Sequence, residues 1–355
     1  MTVAIAILLC GRLFLLHRKT EKQSSVNVSF VFWIWMIDWT YMDPIQKAIL
    51  ETLAYFDVFQ MPLTSEEVHA LLWKEKATLS EVQQGIAALL EMKKIEEREG
   101  FYVLSGRSYI VDRRQMAIPL IDTKLKIATK AARRIRWIPF FDALFVCNTV
   151  ASASATDDSD IDVFIVLRKG RLWISRLLIT LTLSLFRMRR HKAHVANKIC
   201  LSFYVTDAHL NLSDVTIDEP DIYMMYWIAQ LIPIYDPKQI REKMLKENKW
   251  VNPYLPQGLR SYRMHPEFRV EDGVISKRVR KIFETMWRSG YGDLIEKQAK
   301  QIQEKKMAMN FSSVKDEKDS RVVIDDTMLK FHENDRRAYY RDEWRKRVQH
   351  ISTQR

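Results

Sequence analysis

Cysteine is scarce in this chain: Cys10, Cys147 and Cys200 are the only three among 355 residues. Their spacing makes neither a metal-ligating pair nor a disulfide framework, which excludes a zinc module and a disulfide-stapled scaffold. Cys147 and Cys200 lie in apolar segments expected to be core strands and read as reduced, buried thiols. The eight histidines show no ligand pattern. Long apolar runs are missing too. Residues 3–16 are apolar but broken by Arg12, and residues 28–39 are apolar and aromatic; each is shorter than the ~20 residues a membrane helix needs. No basic segment precedes the first run and no small-residue cleavage site follows it, which argues against a signal peptide. No internal repeat is present.

What the chain has is size and positive charge. At 355 residues with 47% hydrophobic content it has material for two or three domains with real cores. A net charge of +12 favours anionic partners such as nucleotides or nucleic acid. The charge is unevenly spread. From Val163 to Thr206 there is no Asp or Glu, but there are nine cations: Arg168, Lys169, Arg171, Arg176, Arg187, Arg189, Arg190, Lys192 and Lys198. Several of these flank the apolar run 172–186, for which a solvated helix rim is the plainer explanation.

Just before that stretch, Asp160-Ile161-Asp162-Val163-Phe164-Ile165-Val166 sets two aspartates on an otherwise apolar strand. Residues two apart in a strand point to the same face, so Asp160 and Asp162 place two carboxylates side by side. Like charges so close repel, and a hard divalent ion relieves them; Mg²⁺ is held by one or two carboxylates, with waters and substrate phosphates completing the shell. A carboxylate pair beside cations suits a site that handles metal and polyphosphate together. The alternative is an edge strand with solvated aspartates, in which Asp157, Asp158 and Ser159 bond the turn backbone.

With its upstream strand and small-residue turn, this segment resembles the DNA polymerase β-like nucleotidyltransferase superfamily. The signature is a hydrophobic strand ending in Gly-Ser, a short helical turn, Asp-x-Asp on the next strand and a third carboxylate on a later strand. Residues 142 to about 207 carry the likeness. The Gly-Ser positions fall on Asn148 and Thr149: the threonine keeps a hydroxyl, whereas the asparagine tolerates a left-handed backbone but adds a side chain where glycine lets phosphate approach. The likeness implies transfer of a nucleoside monophosphate from an NTP to an acceptor hydroxyl, the acceptor being a nucleic acid or a protein. It makes Asp160 and Asp162 catalytic Mg²⁺ ligands and Asp207 the third carboxylate. Asn148, Thr149, Ser152, Ser154, Arg168, Lys169 and Arg171 are then expected to line the phosphates.

The flanking regions are expected as follows. Residues 1–41 differ in composition from the rest and read as a gene-model extension ahead of a natural start at Met42, with a membrane anchor as the competing reading. Residues 42–106 read as a winged helix: an amphipathic helix from Pro44, capping boxes at Thr64–Glu67 and Thr78–Glu81, and a small hairpin around Glu99-Gly100. With six Lys or Arg against ten Asp or Glu over residues 44–106, this module is poorly equipped to bind DNA phosphates and reads as a protein-contacting scaffold. Residues 107–141 reverse the balance, with nine cations against two aspartates, and read as a solvated basic linker helix or a basic wall for a polyanion. The nucleotidyltransferase-like core spans 142–212. A helical domain covers 213–310, its Tyr223, Tyr226, Trp227 and Leu231 at core-forming spacing. A polar loop and a basic aromatic helix over 311–355 end the chain, the helix packing back on the body through Tyr340 and Trp344. The expected fold class is α+β, and the expected compartment is the cytoplasm. Two other functions remain open: a catalytically inactive nucleotide-binding regulator, and a winged-helix DNA-binding regulator.

Overall fold

The computed structural model describes residues 42–191, 193–218, 220–258, 265–310, 321–332 and 334–353. The leader 1–41, the polar loop 311–320 and Lys192 therefore lie outside the described residues. The protein is α+β: eleven α-helices and two sheets occur among the described residues, and 43–351 form one compact unit. No helix among them is long and apolar enough to cross a membrane.

The N-terminal elements follow from local capping chemistry. Helix α1 (Pro44–Val58) starts where the Asp43 carboxylate accepts from the backbone N–H groups of Ile45 and Gln46, with Pro44 in the first turn, where no amide proton is needed. Both capping boxes form. Thr64 opens α2 (Ser65–Ala70) against Glu67, and Thr78 opens α3 (Leu79–Glu91) against Glu81. Strands β1 (Ile95–Arg98) and β2 (Phe101–Leu104) pair through the two-residue turn Glu99-Gly100, both at positive φ as a tight hairpin with right-handed twist requires. Helix α3 turns Val82, Ile86 and Leu89 inward and exposes Glu81, Gln83, Gln84 and Glu91, so its outer face is neutral to acidic.

Helix α4 (Ile110–Ile135) is more than a linker. Its small-residue stripe Ala128, Ala131 and Ala132, with Ile135, is fully buried and joins the core of the main sheet. Only the opposite face, with Lys126, Lys130, Arg133 and Arg134, is exposed. The expectation of a solvated helix is corrected accordingly: the cations cover one side of an element whose other side is core.

The main sheet has the order β6-β3-β4-β5-β8-β7. Strand β3 (Phe141–Val146) leads through the single turn α5 (Asn148–Ala151) into antiparallel β4 (Ile161–Leu167). Helix α6 (Leu172–Leu185) crosses over to β5 (Ile199–Thr206), parallel to β4. After α7 (Ile222–Gln230), β6 (Ile232–Tyr235) pairs antiparallel with β3. Helices α8 (Ile240–Glu247), α9 (Val274–Met286) and α10 (Gly290–Asn310) follow. Strands β7 (Val322–Ile324) and β8 (Met328–Phe331) extend the sheet beyond β5, and α11 (Arg337–Thr353) ends it.

One face of the sheet, bearing Val146, Val163, Ile165 and Tyr204, packs on α4 and α6, and α10 packs on α6. The other face has a different character. Phe145, Phe164 and Phe203 run across adjacent strands and meet Trp227 of α7. Asp162 lies two residues before Phe164 on this second face, which is what places the acid pair next to α7.

Candidate functional site

Cys147 follows β3, its amide donating to the Asp162 carbonyl at 3.1 Å. Asn148 then takes the left-handed conformation, φ 53°, which turns the chain into α5. Asparagine is among the few residues that enter that region cheaply. Its side chain is fixed from above: Oδ1 accepts from Trp227 Nε1 at 2.9 Å and from the Tyr223 hydroxyl at 3.3 Å. The turn closes with the Ser152 amide donating to the Asn148 carbonyl, the Ser154 amide donating to the Thr149 carbonyl, and the Ser152 and Ser154 hydroxyls 2.9 Å apart. Asn148, Thr149, Ser152, Ser154 and Asp162 line a single cavity of about 230 Å³. Five residues assigned to the site from sequence thus come together.

Asp160 stands just before β4, and its carboxylate, that of Asp162 and the Cys200 sulfur each place an atom within 4.8 Å of one another. Cys200 reaches this point because β4 and β5 pair with Asp162 opposite Cys200 but Phe164 opposite Phe203, so β5 carries one extra residue between them. Burial raises the Asp162 pKa above the usual carboxylate range, and the neighbouring Asp160 charge adds to the effect. Burial, then the two carboxylates, raise the Cys200 thiol as well and keep it protonated. Arg190 is the cation that meets the pair: Nη1 donates to Asp160 Oδ2 at 2.7 Å and lies 3.6 Å from Cys200 Sγ.

The remaining sequence assignments belong elsewhere. Asp207 follows the last residue of β5, seven residues beyond Cys200; at ~3.3 Å per residue it is more than about 20 Å along the strand from the acid pair. There its carboxylate accepts from the Lys169 amide. Asp207 is not a third carboxylate of this site. Arg168, Lys169 and Arg171 follow the same far end of β4 and do not line the cavity either. Arg168 faces the buried Asp142 at 3.6 Å and Glu284 at 3.7 Å, while Arg171 pairs with Asp293 at 2.7 Å and donates to the Trp287 carbonyl. Both are structural cations. Arg176 is half-buried with its guanidinium on Gln303.

Two members of the site, Arg190 and Cys200, are absent from the sequence assignment, and a signal for both existed. In a parallel crossover the beginning of the second strand lies beside the beginning of the first. Residues just before and within the start of β5 are therefore near Asp160, whereas those just after β4 are remote. The other side of the cavity was also not anticipated. It is aromatic, with Phe59 following α1, Tyr223 and Trp227 on α7 and Tyr340 on α11. Across Asn148, Tyr223, Trp227 and Tyr340 it adjoins a second cavity of about 310 Å³ that Lys330, His332, Asp335 and Arg337 help to line. Compared with family models, with curated proteins and with solved structures, the chain finds no match.

Proposed function

We propose that this cleft binds a nucleoside triphosphate with a divalent cation and transfers the nucleoside monophosphate to an acceptor hydroxyl. The observation that carries the reading is the shared cavity in which a tight strand–turn–strand segment sets Thr149, Ser152 and Ser154 beside Asp162, with Asp160 adjacent.

The donor set fits a hard divalent ion such as Mg²⁺. Two close carboxylates, one of them held above its ordinary pKa by burial and by the other's charge, gain from a cation between them. The protonated Cys200 thiol is no ligand for a hard ion, so Asp160 and Asp162 would hold the metal and leave its remaining positions to water and phosphate oxygen. Bound there, the ion supplies charge neutralisation for the phosphates. The chain's own groups do the positioning. The Thr149, Ser152 and Ser154 hydroxyls donate to phosphate oxygens, and the Asn148 side chain, its Oδ1 held by Trp227 and Tyr223, bonds the Asp162 carboxylate. Arg190 balances Asp160 in the metal-free protein.

A second reading, nucleotide binding without transfer, is favoured by one observation. Cys200 faces Asp162 on β5, and no third carboxylate joins the cluster among the described residues. The DNA-binding reading has little support, because the outer face of α3 is acidic.

Thermal unfolding with Mg²⁺ and each of the four NTPs tests the proposal. The wild type gains about 2.7 kcal/mol with the right NTP at ~100 times its Kd. A double variant, Asp160→Asn with Asp162→Asn, gains nothing, yet without metal it is as stable as the wild type or more so, since a half-buried, repelled carboxylate is gone. A wild type indifferent to Mg²⁺ with every NTP refutes nucleotide binding. Labelled NTP incubated with cell extract then separates transfer from binding alone.

A further inference from the structure

The cavity has two unlike sides. One is polar and carries the turn hydroxyls and Asp162. The other is built from three elements far apart in sequence: Phe59 at the end of α1, Tyr223 on α7 and Tyr340 on α11. These three rings are half-buried and touch one another. Phe59 and Tyr340 have centroids 4.8 Å apart, Tyr223 and Tyr340 stack at 5.5 Å with planes 22° apart, and Phe59 and Tyr223 are 6.3 Å apart. Tyr55 and Phe56 behind them are core.

At the C-terminal end of α7, Gln230 also lines the cavity, half-buried, and its carboxamide makes no hydrogen bond among the described residues. A half-buried amide facing a cavity presents a donor and an acceptor side by side, the pattern that pairs with the edge of a nucleobase. Among the described residues, no Lys or Arg lines this cavity. A bare polyphosphate therefore finds no cation at the aromatic side, whereas a neutral planar ring finds stacking surface and an edge-reading group. The volume, about 230 Å³, lies below the 300–1,000 Å³ of sites that enclose a whole drug-sized ligand. A nucleotide spanning its two sides is only partly enclosed.

We propose that Phe59, Tyr223 and Tyr340, with the Gln230 carboxamide, form the nucleobase subsite, so that the first and last helices of the compact unit jointly hold the base. This rests on the nucleotide reading given above. It also gives the N-terminal module a role: through Phe59 it supplies part of a small-molecule site.

Calorimetric titration of the full chain with two probes tests this, one being Mg²⁺ tripolyphosphate, which has no base, and the other each Mg²⁺ NTP. The wild type binds its preferred NTP more tightly than tripolyphosphate. Tyr340→Ala weakens that NTP about 5- to 150-fold, the range for loss of one stacked base contact, and leaves tripolyphosphate binding unchanged, which also shows that the variant is folded. Gln230→Ala removes a side chain that holds nothing else in place. It narrows the preference among the four NTPs and again spares tripolyphosphate. The subsite is refuted if wild type binds tripolyphosphate and all NTPs equally, or if both variants leave NTP affinity and preference intact. If the wild type binds neither probe, the nucleotide reading itself fails.

Discussion

His332 and Asp162 are ionisable groups held on the same side of the sheet against their preference for water, and their shifts have opposite consequences. Burial, reinforced by the Lys330 charge, pushes the His332 imidazole down to about 4 from its ordinary 6.5, with Arg337 acting in the same sense and Asp335 against it. Between those values the unfolded chain binds a proton that the folded one does not, so stability falls as pH falls from about 6.5 towards 4. Asp162, raised by burial, works in the other direction, losing stability as pH rises through its elevated pKa. His332→Gln should abolish the first effect. Across pH 7 to pH 4 the wild type loses up to about 3 kcal/mol more than the variant, read from urea unfolding at each pH. A pH-independent difference between the two proteins rejects neutral burial of this histidine. At this scale the sequence showed the acid pair, because alternation along a strand is local information. It did not show Arg190 meeting Asp160, since that contact spans thirty residues and depends on which strand ends coincide.

Elements were legible where their cause is local. The two capping boxes, the Asp43 cap and the Glu99-Gly100 hairpin each depend on a few consecutive residues, and each forms. Helix α4 shows the limit. Its composition is dominated by cations, while the alanine face that meets the sheet carries no strong signal of its own. Lys124 is the clearest case: it reads as part of a basic surface, yet it is buried, its ammonium donating to the Ser159 carbonyl at 2.7 Å and to Asn197 Oδ1 at 2.9 Å. Burial lowers its pKa. Those two bonds fasten the segment before Asp160 and the segment before β5 to α4, holding both sides of the acid cluster. Lys124→Met keeps most of the stem but leaves Asn197 Oδ1 unpaired and the Ser159 carbonyl with the Asn197 amide alone, and is expected to cost about 1–3 kcal/mol. Lys126→Met on the exposed face, where Lys126 pairs with Asp122, should cost less than about 1 kcal/mol. Chemical denaturation of the two variants decides it, and equal costs would remove Lys124 from its fastening role.

On the scale of the whole molecule, the two ends of the compact unit meet on the face of the sheet that carries the site. The Trp344 indole of α11 is buried against Trp73, centroids 5.4 Å apart, and donates from Nε1 to the Glu51 carbonyl of α1 at 3.0 Å. Arg347 of the same helix reaches Asp57 of α1 at 2.9 Å, and Arg107 shares that carboxylate at 2.7 Å. At the other end of α11, Arg337 pairs with Asp221 at 2.7 Å, both buried, where Asp221 caps α7. Helix α11 is thus fastened to α1 and to α7, the two elements that bring Phe59 and Tyr223 to the cavity, and Tyr340 sits between the fastenings. That Tyr340 and Trp344 pack inward was readable from their spacing of four. The surface they meet was not, because it is assembled from α1, 293 positions away at Glu51, and from α7, 116 positions away at Asp221. Trp344→Ala removes a large buried ring and should cost about 3–5 kcal/mol. Trp344 lies one helical turn from Tyr340 and does not line the cavity, so any change in ligand binding must pass through the seating of α11. Weaker NTP binding with unchanged tripolyphosphate binding is the expected result. A variant that loses the stability but binds NTP as the wild type does would mean that α11 holds the fold together without shaping the site.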